Sequence, residues 1–172
     1  MPIHLDDLDV VSEAEGIRSA LIVPCNMCPA VTVAVNENRP FMEIFRSPLK
    51  SLPWKQHLEK LRSRLKEVGI EADVFDSDMY HQWFVCMWTS GRRKKLRERA
   101  EEYDAVISMG CDTAHETARD AVTSSDCQVI EGMRITGLMN AKMTFDWKGH
   151  IAFKDCRVVP ISQSKGSLET SA

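Results

Sequence analysis

No stretch of this 172-residue chain stays apolar for the ~20 residues that a membrane span needs, so no membrane partner is expected. The opening MPIHLDDLDVVSEAEG is acidic and lacks both the positive start and the apolar core of a secretory signal, which places the expected location in the cytoplasm. Positive charge is not in excess either. The 22 Lys and Arg face 25 Asp and Glu, a net charge of −3, and this leaves no overall basic field for a nucleic acid. Neither GxGxxG nor GxxxxGK[ST] occurs, and Gly110-Cys111-Asp112-Thr113 is too poor in glycine to cradle a phosphate. Internal repeats, low-complexity blocks and linkers are also missing. What remains is a chain with 44% hydrophobic residues, long enough to bury a full core. It reads as one α/β domain over 1–161 with an acidic N-terminal segment, followed by a small polar tail, 162–172, expected to be disordered.

The apolar pattern gives an alternating order. IRSALIVP (17–24) reads as a first strand, and PAVTVAVNE after it as a short helix. In PWKQHLEKLRSRLKEVG, Trp54, Leu58, Leu61, Leu65 and Val68 recur at helical spacing before Gly69, which predicts an amphipathic helix closed by glycine. IEADVFDSD (70–78) reads as a second strand, MYHQWFVCMWTSG (79–91) as an irregular aromatic segment, and RRKKLRERAEEY (92–103) as a helix with a solvated charged face. DAVISMG (104–110) predicts a third strand, CDTAHETARDAV a helix, and CQVIEG (127–132) a fourth strand. AKMTFDWKGHIAFKDCRVVPI alternates on both sides of Lys148-Gly149 and reads as a C-terminal β-hairpin. Together these predict a Rossmann-like α/β fold: a mostly parallel sheet with helices on both faces and the hairpin added at an edge or end.

Six cysteines in a reducing compartment are expected to be metal ligands, catalytic thiols or core residues rather than disulfides. In a strand order 2-1-3-4, Cys25 and Cys28 leave the first strand at the same sheet edge where Cys111 leaves the third, with Cys86 on that side too. Cys127 begins the fourth strand at the opposite edge and Cys156 belongs to the hairpin, so both are bystanders. A buried thiolate is costly alone, whereas Zn²⁺ or an iron–sulfur cluster compensates several at once. The metal ligands expected are therefore Cys25, Cys28, Cys86 and Cys111, with His115, one helical turn after Cys111, as the alternative fourth. A single CxxC with two dispersed cysteines leans toward the cluster over zinc. Other readings of the same residues are a thiol redox couple at Cys25 and Cys28, a small-molecule binder at the strand-end crevice, or plain core thiols for Cys86 and Cys111. Trp83, Phe84 and Trp88 around Cys86 are expected to close the core rather than shield a cofactor.

The strand-end motifs PCNMC and SMGC, within about 140 residues, resemble those of the C-terminal domain associated with methylenetetrahydrofolate reductases of anaerobic one-carbon pathways. The resemblance covers roughly residues 17 to 140. It implies a metal- or iron–sulfur-binding accessory subunit, in electron transfer or as a scaffold, partnered by a flavin-dependent reductase or a corrinoid methyltransferase system. Cys25, Cys28, Cys86 and Cys111 match the family's cysteine positions, and where the family has a third cysteine in the first turn this chain has Thr32. Whether the chain is itself an enzyme stays open at this point.

Overall fold

The computed structural model describes residues 3–45, 50–76, 83–123 and 127–161. Four strands, β2 (Ser19–Pro24), β4 (Glu71–Val74), β5 (Ala105–Met109) and β6 (Gln128–Glu131), form a parallel sheet in the order β4-β2-β5-β6. That is the 2-1-3-4 order. β2 and β5 are buried almost throughout, as strands covered on both faces must be. The connections carry α2 (Cys28–Asn36), α3 (Leu52–Glu67), α4 (Ser90–Ala100) and α5 (Asp112–Val122); a short α1 (Val10–Glu13) precedes β2. Helix α2 packs on α3, and α4 on α5. This pairing is what right-handed crossovers give when the strand order reverses at β2.

The sequence predicts one mostly parallel sheet, and here the fold differs. A second, antiparallel sheet runs β1-β7-β8-β3, made from β1 (Ile3–Asp7), β7 (Met133–Phe145), β8 (His150–Pro160) and the two-residue β3 (Met42–Glu43). β7 and β8 pair across residues 146–149, so the segments flanking Lys148-Gly149 lie inside a four-stranded sheet rather than on an edge of the parallel one. The acidic opening hid β1. Only Leu5 of its five residues is buried, and Asp6 and Asp7 give the stretch the look of a solvated tail. Thirteen-residue β7 begins eight residues before the alternation predicted for it, because Met133, Gly137 and Met139 turn inward while Arg134, Leu138 and Asn140 stay exposed.

Helix α2 lies against β1, β8 and α3. This explains why six consecutive residues, Pro29 to Ala34, are buried: a helix covered all round needs no polar face. Its Thr32 hydroxyl donates to the Ile3 carbonyl at 3.2 Å, which anchors β1 to the helix. In α3, Trp54, Leu58, Leu61 and Leu65 form the buried stripe, while Val68 falls at the C-cap and is 54% exposed. Helix α4 starts at Ser90 and stops at Ala100, short of the predicted Tyr103. Its charged residues make the expected surface contacts, Arg93 with Asp120 and Arg97 with the Ala121 carbonyl, but Arg92 is buried. β4 ends at Val74, with Phe75 and Asp76 outside the strand, and residues 77–78 of the predicted second strand, the start of the aromatic segment (79–82) and the tail 162–172 lie outside the described residues. Buried apolar residues from β1 through β7 form one core cluster. Among the described residues no helix is long and apolar enough to cross a membrane.

Candidate functional site

The ladder between β2 and β5 continues past the strand end, where the Cys25 N–H donates to the Met109 carbonyl at 2.9 Å. This hydrogen bond draws the PCNMC turn against the SMGC turn. Gly110 makes the approach possible: a Cβ there would stand 2.6 Å from the Ala114 Cβ and 3.3 Å from the Cys25 Cβ. Cys28 is the first residue of α2 and Cys111 the N-cap of α5, and neither helix start has a side-chain cap. Two helix N-termini, each the positive end of its dipole, thus meet at the thiols.

The third wall is the segment over this edge. Cys86 sits in a 3₁₀ turn, Val85–Met87, that packs against α5. The Cys25 thiol donates to the Trp83 carbonyl at 3.6 Å, and the Val85 backbone hydrogen-bonds the Cys25 sulfur. Trp83 and Trp88 here pack on the core as expected, whereas Phe84 does not close it. Trp88 packs on Phe75 with ring centroids 5.7 Å apart, and Trp83 meets Phe41 edge-on at 6.3 Å. Phe84 is about half exposed.

Electrostatics place the four thiols in one neighbourhood. Burial pushes the Cys25 thiol up to about 12, and the Cys28 and Cys111 sulfurs push the same way against backbone hydrogen bonds from Val85 and Met27. Cys28 is raised by burial, opposed by a hydrogen bond from the Ile3 backbone, with Cys111 adding to the rise. Cys86 is raised by burial and then by Cys111 and Cys28. Cys111 therefore acts on Cys25, Cys28 and Cys86, and Cys28 acts on Cys25 and Cys86. No cysteine acts on Cys127 or Cys156: burial raises both, and the only neighbour acting on Cys127 is Asp104, at the start of β5. All six cysteines are free thiols.

The donor set has the chemistry of a thiophilic centre: soft sulfur ligands with two helix N-termini that would offset the excess negative charge of bound thiolates. His115, the alternative fourth ligand, is half-buried on the first turn of α5, and its buried Nδ1 has no hydrogen-bond partner among the described residues. Among the described residues no three His, Cys, Asp or Glu side chains form a group that could hold a metal ion as they stand. The role of Gly110 as the contact between the turns has no sequence signature beyond the glycine itself. No family model, curated protein or solved structure matches the chain.

Proposed function

We propose that the crevice at the carboxyl ends of β2 and β5 is a metal or iron–sulfur site held by Cys25, Cys28, Cys86 and Cys111, in an accessory protein of one-carbon methyl metabolism. One observation carries this reading: the Cys25 N–H to Met109 carbonyl bond draws the PCNMC and SMGC turns together, and Cys111 there acts on Cys25, Cys28 and Cys86, while no cysteine acts on Cys127 or Cys156. A bound cluster would supply one-electron transfer to a partner, and bound zinc a structural cross-link between the two turns. The protein's part is to bring three chain segments to one point, to exclude water from Cys25, and to present two helix N-termini to the negative charge of the thiolates. Loading requires the side chains to turn inward and their protons to leave. The link to a flavin-dependent reductase or a corrinoid methyltransferase rests on the PCNMC and SMGC resemblance.

A thiol–disulfide enzyme is the competing reading, and the burial of the two thiols weighs against it. An attacking thiol of that class has its pKa lowered toward or below neutrality, whereas Cys25 and Cys28 are both raised. Metal and sulfide analysis of the anaerobically purified full chain separates the two. The proposal expects iron with acid-labile sulfide, or zinc, at about one centre per chain. Metal-free protein that forms a reversible Cys25–Cys28 disulfide would favour the enzyme.

A further inference from the structure

The alternation that packs β7 onto the core runs on past the core. Met133, Gly137 and Met139 are buried, and Met143 and Phe145 continue the same face, yet they are 70% and 66% exposed. Their partners on β8 are Phe153 and Ile151, and Phe153 is still tied to the core through an edge contact with Phe41 at 5.7 Å. The outer end of this face is therefore patterned for burial but open to solvent. Two further side chains stand at the 146–149 turn. Trp147 is 85% exposed, and Phe45, 78% exposed, lays its ring over Gly149, where a Cβ would stand 2.6 Å from it.

Single exposed apolar residues need no explanation, whereas four large ones at one end of a hairpin do. Side chains of this size carry about 150–250 Å² each, so these exposures sum to roughly 600 Å². Two such surfaces face to face would bury about 1,200 Å², which is where specific protein interfaces begin. Beside the tip lies a concavity of 310 Å³ whose walls include Pro40, Phe145 and Phe153. Its polar lining includes Arg39, Lys154 and the hydrogen-bonded pair of Asp146 and His150. An indole suits such a seat, because its rings are apolar, its face attracts cations and its N–H donates. Charge around the tip is of both signs: Asp146 and Lys148 flank Trp147, and Lys142 pairs with Asp155 at 3.0 Å. Mixed charge can meet its own copy, whereas an anionic lipid surface would select cations.

We propose that the β7–β8 tip is a two-fold interface with a second copy of this chain, in which the Trp147 indole of each protomer enters the other's concavity and Phe45, Met143 and Phe145 meet between them. A projecting side chain and a hollow that adjoin on one surface are both satisfied by a two-fold axis between them, which closes the assembly at two. An aromatic anchor in a pocket is also where interface energy concentrates. No cysteine lies among these residues, so the inference stands apart from the metal reading.

Sedimentation equilibrium of the full chain in reducing buffer, over a concentration series, tests it. The parent is expected to associate reversibly and to stop at two chains. Trp147→Ala and Phe145→Ser each alter both halves of the interface and should weaken association at least roughly tenfold, as loss of a buried aromatic anchor does. Both side chains are largely exposed within one chain, so the denaturant midpoint of the dissociated variants should match that of the dissociated parent. Val68→Ser, at an exposed apolar position after α3, should leave association unchanged. A parent that stays monomeric across the series, or a Trp147→Ala variant that associates as tightly as the parent, would overturn the interface. Growth beyond two chains would overturn the two-fold arrangement, and a monomeric parent that floats with phosphatidylserine vesicles through Trp147 would assign the tip to a lipid surface instead.

Discussion

A methyl group at position 110 would meet the Ala114 Cβ at 2.6 Å, a separation that folded proteins do not tolerate without a backbone shift, and the neighbour it would push is in the first turn of α5. Gly110→Ala is therefore expected to destabilise the fold by about 1–3 kcal/mol, the usual cost of overpacking, and to separate the two cysteine turns; denaturant unfolding measures the first effect and loss of metal retention the second. Cys25 gives a pH-dependent test. Its ordinary value is 9.0 and burial raises it to about 12 in the folded protein. The unfolded chain therefore loses this proton first as pH rises, so the stabilising preference is intact below pH 9 and is lost between 9 and about 12. Stability should fall with pH across that window, and less steeply in Cys25→Ala. Arg92 tests the cost of an unmatched charge: it is 6% exposed and its Nη1 is buried without a partner. Arg92→Met should be neutral or stabilise by about 1 kcal/mol in denaturant unfolding, since it removes an unsatisfied buried donor. The sequence could not signal this arginine, which sits in a run of charged residues that otherwise faces solvent.

At the scale of elements, the start of the parallel sheet depends on Asp104. Its Oδ2 accepts from the Arg18 N–H at 2.8 Å, the Ser19 N–H at 2.9 Å and the Ser19 hydroxyl at 3.1 Å, which joins the β5 entrance to the β2 entrance. These backbone bonds hold its carboxyl below the ordinary 3.8. A carboxylate with a lowered folded-state value stabilises above 3.8 and loses that contribution as pH falls through its folded-state value. Asp104→Ala should therefore lower the unfolding midpoint near neutral pH and make little difference in strong acid. Most elements of this sheet were legible because periodicity carries them: β2 and β5 are unbroken apolar runs, and α3 has a four-residue stripe. Helix α2 was readable despite its β-branched residues because it follows a strand, and burial on all sides overrides its weak propensity. β1 and the first half of β7 were not legible. Their pairing with each other spans more than a hundred residues, as in Leu5 opposite Ile135, and no local pattern encodes it.

For the whole molecule, the antiparallel sheet changes what surrounds the site without moving it. Helix α2 is clasped between β1, β8 and α3, so the turn that begins it, with Cys28, is fixed from several directions; the Ile3 backbone even reaches the Cys28 sulfur. That the Cys25–Cys28 turn and Cys111 share one edge was legible from strand order, because topology decides which strand ends lie side by side. The placement of Cys86 was less so, since it depends on how a segment without periodicity folds over that edge. Thiols held neutral by burial also set how a centre would load: each one that becomes a ligand releases a proton. Apparent metal affinity should therefore weaken steadily as pH falls below neutrality, a trend that competition titrations at several pH values would record.

The most direct test is a cobalt(II) titration of the reduced full chain under anaerobic conditions, read by sulfur-to-cobalt charge-transfer absorption, in the parent protein and in each of the six single Cys→Ser variants. The four-thiol site calls for a saturable band at about one cobalt per chain. The band should be lost or strongly shifted in Cys25→Ser, Cys28→Ser, Cys86→Ser and Cys111→Ser, and unchanged in Cys127→Ser and Cys156→Ser. A folded protein with no such band, or one that loses it equally in Cys127→Ser, would contradict the account.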